Sequence, residues 1–123
     1  MTSLSLTLPF PPSANHMYAR RRGGGVMLSP AARAFRLAVQ VRVLEARVPG
    51  DRKPLKGMLA VEVQYFRPHK RYDVDNFQKP LLDALQSAGV FTNDQQVDDL
   101  HSCRMLCAKS CAPFVRVAVK ELP

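Results

Sequence analysis

Leu59-Ala60-Val61-Glu62-Val63-Gln64-Tyr65-Phe66 runs through Arg67-Pro68-His69-Lys70-Arg71 into Tyr72-Asp73-Val74-Asp75-Asn76-Phe77-Gln78-Lys79. In the first eight residues Leu59, Val61, Val63 and Tyr65 alternate with Ala60, Glu62 and Gln64, the period of a half-buried strand. Beyond the acidic stretch, Phe77, Leu81, Ala84, Leu85 and Ala88 recur at helical spacing, and Gly89 is a natural C-cap. The segment therefore reads as a strand, a basic extended link, an acidic motif and a helix. Pro80 cannot donate an amide to the Asn76 carbonyl, so the helix is expected to begin late or to kink there.

The acidic motif carries the chemistry. In extended chain, Asp73 and Asp75 point to the same side, roughly 6.6 Å apart. Asp94 returns after the helix and is placed to close the cluster from another direction. At about 4 Å and an effective dielectric near 20, each pair of bare carboxylates repels by about 4 kcal/mol. Such a cluster takes up protons or holds a cation. Hard oxygen donors with no cysteine or histidine beside them favour Mg²⁺, which keeps waters and a substrate phosphate in its remaining positions. The stretch reads as a catalytic Mg²⁺ site for phosphodiester cleavage. Lys79, one turn after Asp75, is suited to orient or polarise the scissile phosphate. The plain alternatives are a turn with an N-cap for the two aspartates and a surface ion pair for Lys79 with Asp83 or Asp75. The strand-to-helix position and the positive lead-in weigh against them.

Charge is distributed in keeping with this. Residues 1–72 hold 13 Lys/Arg and 3 Asp/Glu, a net of +10. Residues 73–100 hold 1 Lys and 6 Asp, a net of −5, and residues 101–123 return to +3. A cationic body around an anionic island suits a protein that attracts a polyanion and presents carboxylates, through a metal, to one of its phosphates.

Upstream, Leu4, Leu6 and Leu8 alternate with Ser5 and Thr7 as a strand. Pro9, Pro11 and Pro12 make residues 9–16 a stiff extended loop, which presents Phe10, Asn15, His16 and Tyr18. Arg20-Arg21-Arg22-Gly23-Gly24-Gly25 reads as a mobile cationic tip suited to phosphates. Ser29-Pro30 starts a helix, with Ala34, Leu37, Ala38, Val41, Leu44 and Val48 as its expected core face. Arg33, Arg36, Gln40 and Arg47 form a basic stripe on another face, and Pro49-Gly50 ends the helix. Downstream, residues 99–108 and 113–121 read as two final strands joined by a hairpin loop at 109–112. The order β-α-β-α-β-β implies a single α+β domain over residues 1–123, with two helices packed on a small mixed sheet.

Other chemistries find little support. Cys103 and Cys107 in a strand stand roughly 13 Å apart, too far for one tetrahedral zinc. Gly23-Gly24-Gly25 lacks the lysine and hydroxyl of a phosphate loop, and no small-molecule cofactor is implied. No apolar run approaches the roughly 18 residues of a membrane span, so the expected setting is the cytoplasm.

Asp73-x-Asp75-Asn76-x-x-Lys79 with Asp94 downstream resembles the RusA family of Holliday junction resolvases. The opening Leu8-Pro9-Phe10-Pro11-Pro12-Ser13-Ala14-Asn15, with Tyr18 after it, resembles it too. The resemblance implies a homodimeric endodeoxyribonuclease that uses Mg²⁺, with Mn²⁺ as a substitute, to nick two opposed strands of a four-way junction. It implies Asp73, Asp75 and Asp94 as metal ligands and Lys79 as a catalytic lysine. Some relatives carry Asp-Asp where this chain has Asn93-Asp94, which makes Asp94 the better ligand of the two. Asp98 and Asp99 read as strand-entry charges. Asn15, Tyr18, Arg20, Arg21, Arg22, Lys70 and Arg71 are the expected DNA contacts. The competing readings are a non-catalytic junction-binding architectural protein and a nuclease for other branched DNA.

Overall fold

The computed structural model describes residues 3–47 and 53–123. Strands β1 (Ser3–Pro9), β4 (Leu59–Arg67), β5 (Val97–Leu106) and β6 (Phe114–Glu121) form one sheet in the order β1-β6-β4-β5. β6 is antiparallel to both of its neighbours, whereas β4 and β5 run parallel. A two-stranded ribbon, β2 (Tyr18–Arg20) with β3 (Val26–Leu28), stands apart from it. The helices are α1 (Pro30–Ala46) and α2 (Asp75–Ser87).

The alternation in the sequence becomes the core. Register places Leu4, Val119 and Val61 in one cross-strand row, Leu6, Val117 and Val63 in the next, and Leu8, Val115 and Tyr65 in a third. All nine side chains are buried, and both helices pack on that face. The opposite face presents Ser5, Thr7, Glu62, Arg116 and Lys120 to solvent. α2 lies in the connection between the parallel strands β4 and β5, so the acidic motif occupies a β-α-β crossover. Its C-terminus closes as expected. Gly89 takes φ 80°, its amide donates to Gln86 O at 3.0 Å, and that of Val90 donates to Leu85 O at 3.0 Å. Pro80 is buried inside an α2 that starts at Asp75, so the helix does not begin late.

Two expectations are overturned, and the cationic tip is placed in the turn of the β2–β3 ribbon, with Arg21 N–H donating to Gly25 O at 3.0 Å and Gly24 N–H to Arg21 O at 3.1 Å. Gly23, Gly24 and Gly25 all take positive φ there, which side chains with a Cβ rarely adopt. β5 and β6 do not form a hairpin, because β4 lies between them and their connection crosses its end. At that crossing the amide of Cys107 donates to Arg67 O at 3.0 Å.

The second correction concerns α1. Ser29 caps it as expected, its Oγ accepting from Ala32 N–H at 3.1 Å. The buried face is Ala32, Phe35, Val39 and Val43, whereas Leu37, Val41 and Leu44 are 62%, 46% and 51% exposed. The expected face lies on nearly the opposite side of the helix from the one the core uses. Val48, Pro49-Gly50, Asp51 and Arg52 lie outside the described residues. Urea unfolding separates the two faces: Phe35→Ala is expected to cost about 3 kcal/mol, and Leu37→Ala to stay within about 0.5 kcal/mol.

Among the described residues, no helix is long and apolar enough to cross a membrane.

Candidate active site

The link from β4 to α2 is held from two sides. Arg104, on the neighbouring β5, donates from Nη1 to Lys70 O at 2.8 Å and to Tyr72 O at 3.2 Å. On the other side an aromatic nest forms around Arg67. Its guanidinium lies 4.0 Å from the Phe10 ring centroid, 5.0 Å from Tyr72 and 5.1 Å from Phe77. Arg67 therefore leaves the basic lead-in and becomes a packing element. Phe10 is committed to the same nest, while Tyr18 remains 56% exposed.

Within this frame the aspartates are not in extended chain. Asp73 sits in a turn, Val74 is helical at φ −62°, ψ −28°, and Asp75 is the first residue of α2. Asp73 Oδ1 accepts the Asp75 amide at 3.1 Å, satisfying one of the free donors at the helix start. The Asp75 side chain is exposed and, among the described residues, has neither an ion-pair nor a hydrogen-bond partner.

Asp75, Lys79 and Asp83 follow one another at four-residue steps and share one side of α2. Lys79 Nζ stands 3.0 Å from Asp83 Oδ1 and 3.5 Å from Asp94 Oδ2. The hydrogen bond and charge of Asp83, followed by Asp94, hold the Lys79 pKa above its ordinary value. The Asp94 loop is pinned by two glutamines. Gln86 Oε1 accepts the Asp94 amide at 3.1 Å. Gln96 Oε1 accepts Thr92 N–H at 3.0 Å, Thr92 Oγ at 2.8 Å and Asn93 N–H at 3.0 Å, while its Nε2 donates to Leu55 O and Gly57 O. Asn93 serves this cap, its Oδ1 accepting the Gln95 amide at 2.8 Å.

The three carboxylates do not gather into one pocket. Asp94 faces Lys79, and among the described residues no three Asp, Glu, His or Cys side chains stand close enough to hold an ion. The donor set still suits Mg²⁺. It offers hard oxygens, those of Asp75 free of any protein partner among the described residues, the ligand type that Mg²⁺ takes. Lys79 is the counter-cation of both Asp83 and Asp94.

The expected DNA contacts sit at the surface. Asn15 occupies an exposed single-turn helix (Ala14–His16) that packs on α2. Arg20, Arg21 and Arg22 belong to the ribbon and its turn, and Lys70 and Arg71 to the motif link. None of these five cations forms an ion pair among the described residues. The basic stripe of α1 is partly engaged: Arg33 donates to Leu28 O at 2.9 Å and Arg47 to Gly89 O at 3.0 Å. Sequence reasoning missed Arg67, Arg104, Gln86 and Gln96, whose roles depend on chain segments brought together by the fold.

Residues 9–120 match the family described as Endodeoxyribonuclease RusA. Two relatives, from Shigella sonnei and Escherichia coli K12, are each named crossover junction endodeoxyribonuclease RusA. Each is 34% identical over 111 residues, covering 89% of this chain and 88% of its own. A relative of the same name from Enterobacteria phage HK97 is 34% identical over 105 residues, covering 85% of this chain and 84% of its own. A match of this span joins the strand, motif link and helix to one known group: the chain belongs to the RusA family of endodeoxyribonucleases.

Proposed function

We propose that this chain resolves four-way (Holliday) DNA junctions by Mg²⁺-dependent paired nicks in opposed strands, as a homodimer in the cytoplasm, in recombination and repair. The observation that supports it most is Lys79 held between Asp83 and Asp94 one turn from Asp75, which has no partner among the described residues, in a chain that matches RusA almost throughout.

Asp73, Asp75 and Asp94 are the residues that would hold the ion. When bound, Mg²⁺ supplies neutralisation of phosphate charge and a lower pKa for an attacking water. Lys79 extends an ammonium from α2 to a phosphate oxygen and stabilises charge that builds there. Arg20, Arg21 and Arg22 on the ribbon, with Lys70 and Arg71 on the link, engage backbone phosphates on either side, and Asn15 and Tyr18 add contacts from the proline-rich opening. One chain carries one such site, so two opposed nicks require two chains. A twofold dimer matches the near-twofold symmetry of the junction.

A synthetic junction labelled on each strand in turn tests this on denaturing gels. With Mg²⁺, symmetric nicks are expected in one opposed pair of strands and none in the other pair, and EDTA is expected to abolish them. Cutting that survives EDTA would remove the metal reading, and equal cutting of flaps and linear duplex would remove junction resolution.

A further inference from the structure

Lys79 and Asp83 have the spacing of an ordinary helix-surface ion pair, a contact of little consequence when both partners are solvated. These two are not alike. The Asp83 side chain is 17% exposed and that of Lys79 is 63%, so the acid is the fixed member and the lysine reaches out from it. The ammonium is also shared with Asp94, on a loop that α2 itself secures through Gln86. An ammonium has three N–H donors. One is donated to Asp83 and Asp94 lies 3.5 Å away as an ion pair, which leaves a donor for an incoming phosphate oxygen. When the Asp94 charge is committed to a cation, the 3.0 Å contact with Asp83 is what keeps Nζ on this side of α2.

We infer that Asp83 is a positioning residue for Lys79. It sets where the ammonium stands during cleavage and itself touches neither DNA nor the ion. This rests on the role given to Lys79 above, and the test separates the two. Asp83→Asn keeps the shape and an acceptor oxygen but removes the charge. Its single-turnover rate on a four-way junction with Mg²⁺ is expected to fall about 10- to 100-fold, the usual scale for a residue that orients a catalytic group, with KM and junction binding unchanged. Asp83→Glu, which retains the charge, is expected to recover most of the rate. Because Asp83 acts through Lys79, the double variant Lys79→Ala/Asp83→Asn is expected to cleave no more slowly than Lys79→Ala alone. Thermal unfolding confirms that each variant folds, and Asp83→Ser, which also removes the charge, carries the test if Asp83→Asn does not fold.

A wild-type rate in Asp83→Asn beside an inactive Lys79→Ala overturns the positioning role alone. Losses that multiply in the double variant overturn it as well, by showing that Asp83 acts elsewhere. A wild-type rate in Lys79→Ala removes the catalytic lysine and this inference together.

Discussion

Asp75→Asn is expected to bind a four-way junction at least as tightly as the parent chain and to leave all four strands uncut. The side chain is exposed at the first position of α2, and among the described residues nothing leans on its carboxylate, so the fold does not depend on it. The structural loss is confined to a negative charge at a helix N-terminus, about 0.3–1 kcal/mol. Binding does not suffer, because the change removes an anion that faces a polyanion. Cleavage does, since the amide is a poor ligand for a hard divalent ion, and loss of an electrostatic stabiliser of the transition state costs about 10²–10³-fold or more. Gel shifts with Ca²⁺ measure binding, and denaturing gels with Mg²⁺ measure cutting. Asp99→Asn is the matched control: this exposed acid lies on β5 opposite Ala60 of β4, on the outer face of the sheet, and its cleavage should be unchanged. Full cutting by Asp75→Asn would detach the acidic motif from the chemistry.

The parts of this site legible in the sequence are those whose information is local. Val61, Val63 and Tyr65 alternate because one face of β4 is buried, and Gly89 closes α2 because only a residue tolerant of positive φ ends a helix that way. Asp73, Asp75 and Lys79 lie within seven residues, so their chemistry shows before any fold is known. Asp94 is different. Its place opposite Lys79 depends on Gln86 and Gln96, which tie the loop to α2 and to residues 55–57, and such cross-chain bonds leave no periodic trace.

α1 shows the opposite failure, too much local signal. Ala32, Ala34, Phe35, Leu37, Ala38, Val39, Val41, Val43 and Leu44 cover most of its circumference, so two stripes on opposite sides both satisfy helical spacing. The choice between them falls to what waits above the sheet, and the volume there is filled by Phe35, Val39 and Val43. Strand order is equally nonlocal. The short connection from β5 to β6 favours a hairpin, yet β6 bonds to β1 and β4 because its Val115, Val117 and Val119 complete the rows begun by Leu4, Leu6 and Leu8. β5, whose burial is slight, is left at the edge.

The largest stability loss is expected at Phe77, where the fold and the site are joined. Its ring is 7% exposed and lies 4.8 Å from Phe10, 5.9 Å from Tyr72 and 6.2 Å from Tyr65, with the Arg67 guanidinium 5.1 Å away. Four segments meet on this one side chain: the proline-rich opening, β4, the motif link and α2. Phe77→Ala removes the packing and leaves a cavity that rigid neighbours only partly close, at about 3–5 kcal/mol. Against a domain's total of about 5–15 kcal/mol, that is enough to lower the urea midpoint steeply while leaving the slope of the transition unchanged. Phe77→Leu keeps most of the volume and is expected to cost less than about 1.5 kcal/mol. A loss in Phe77→Ala no larger than that of a surface substitution would mean that the Arg104 contacts with Lys70 O and Tyr72 O, and not the aromatic nest, hold Asp73 and Asp75 against the sheet.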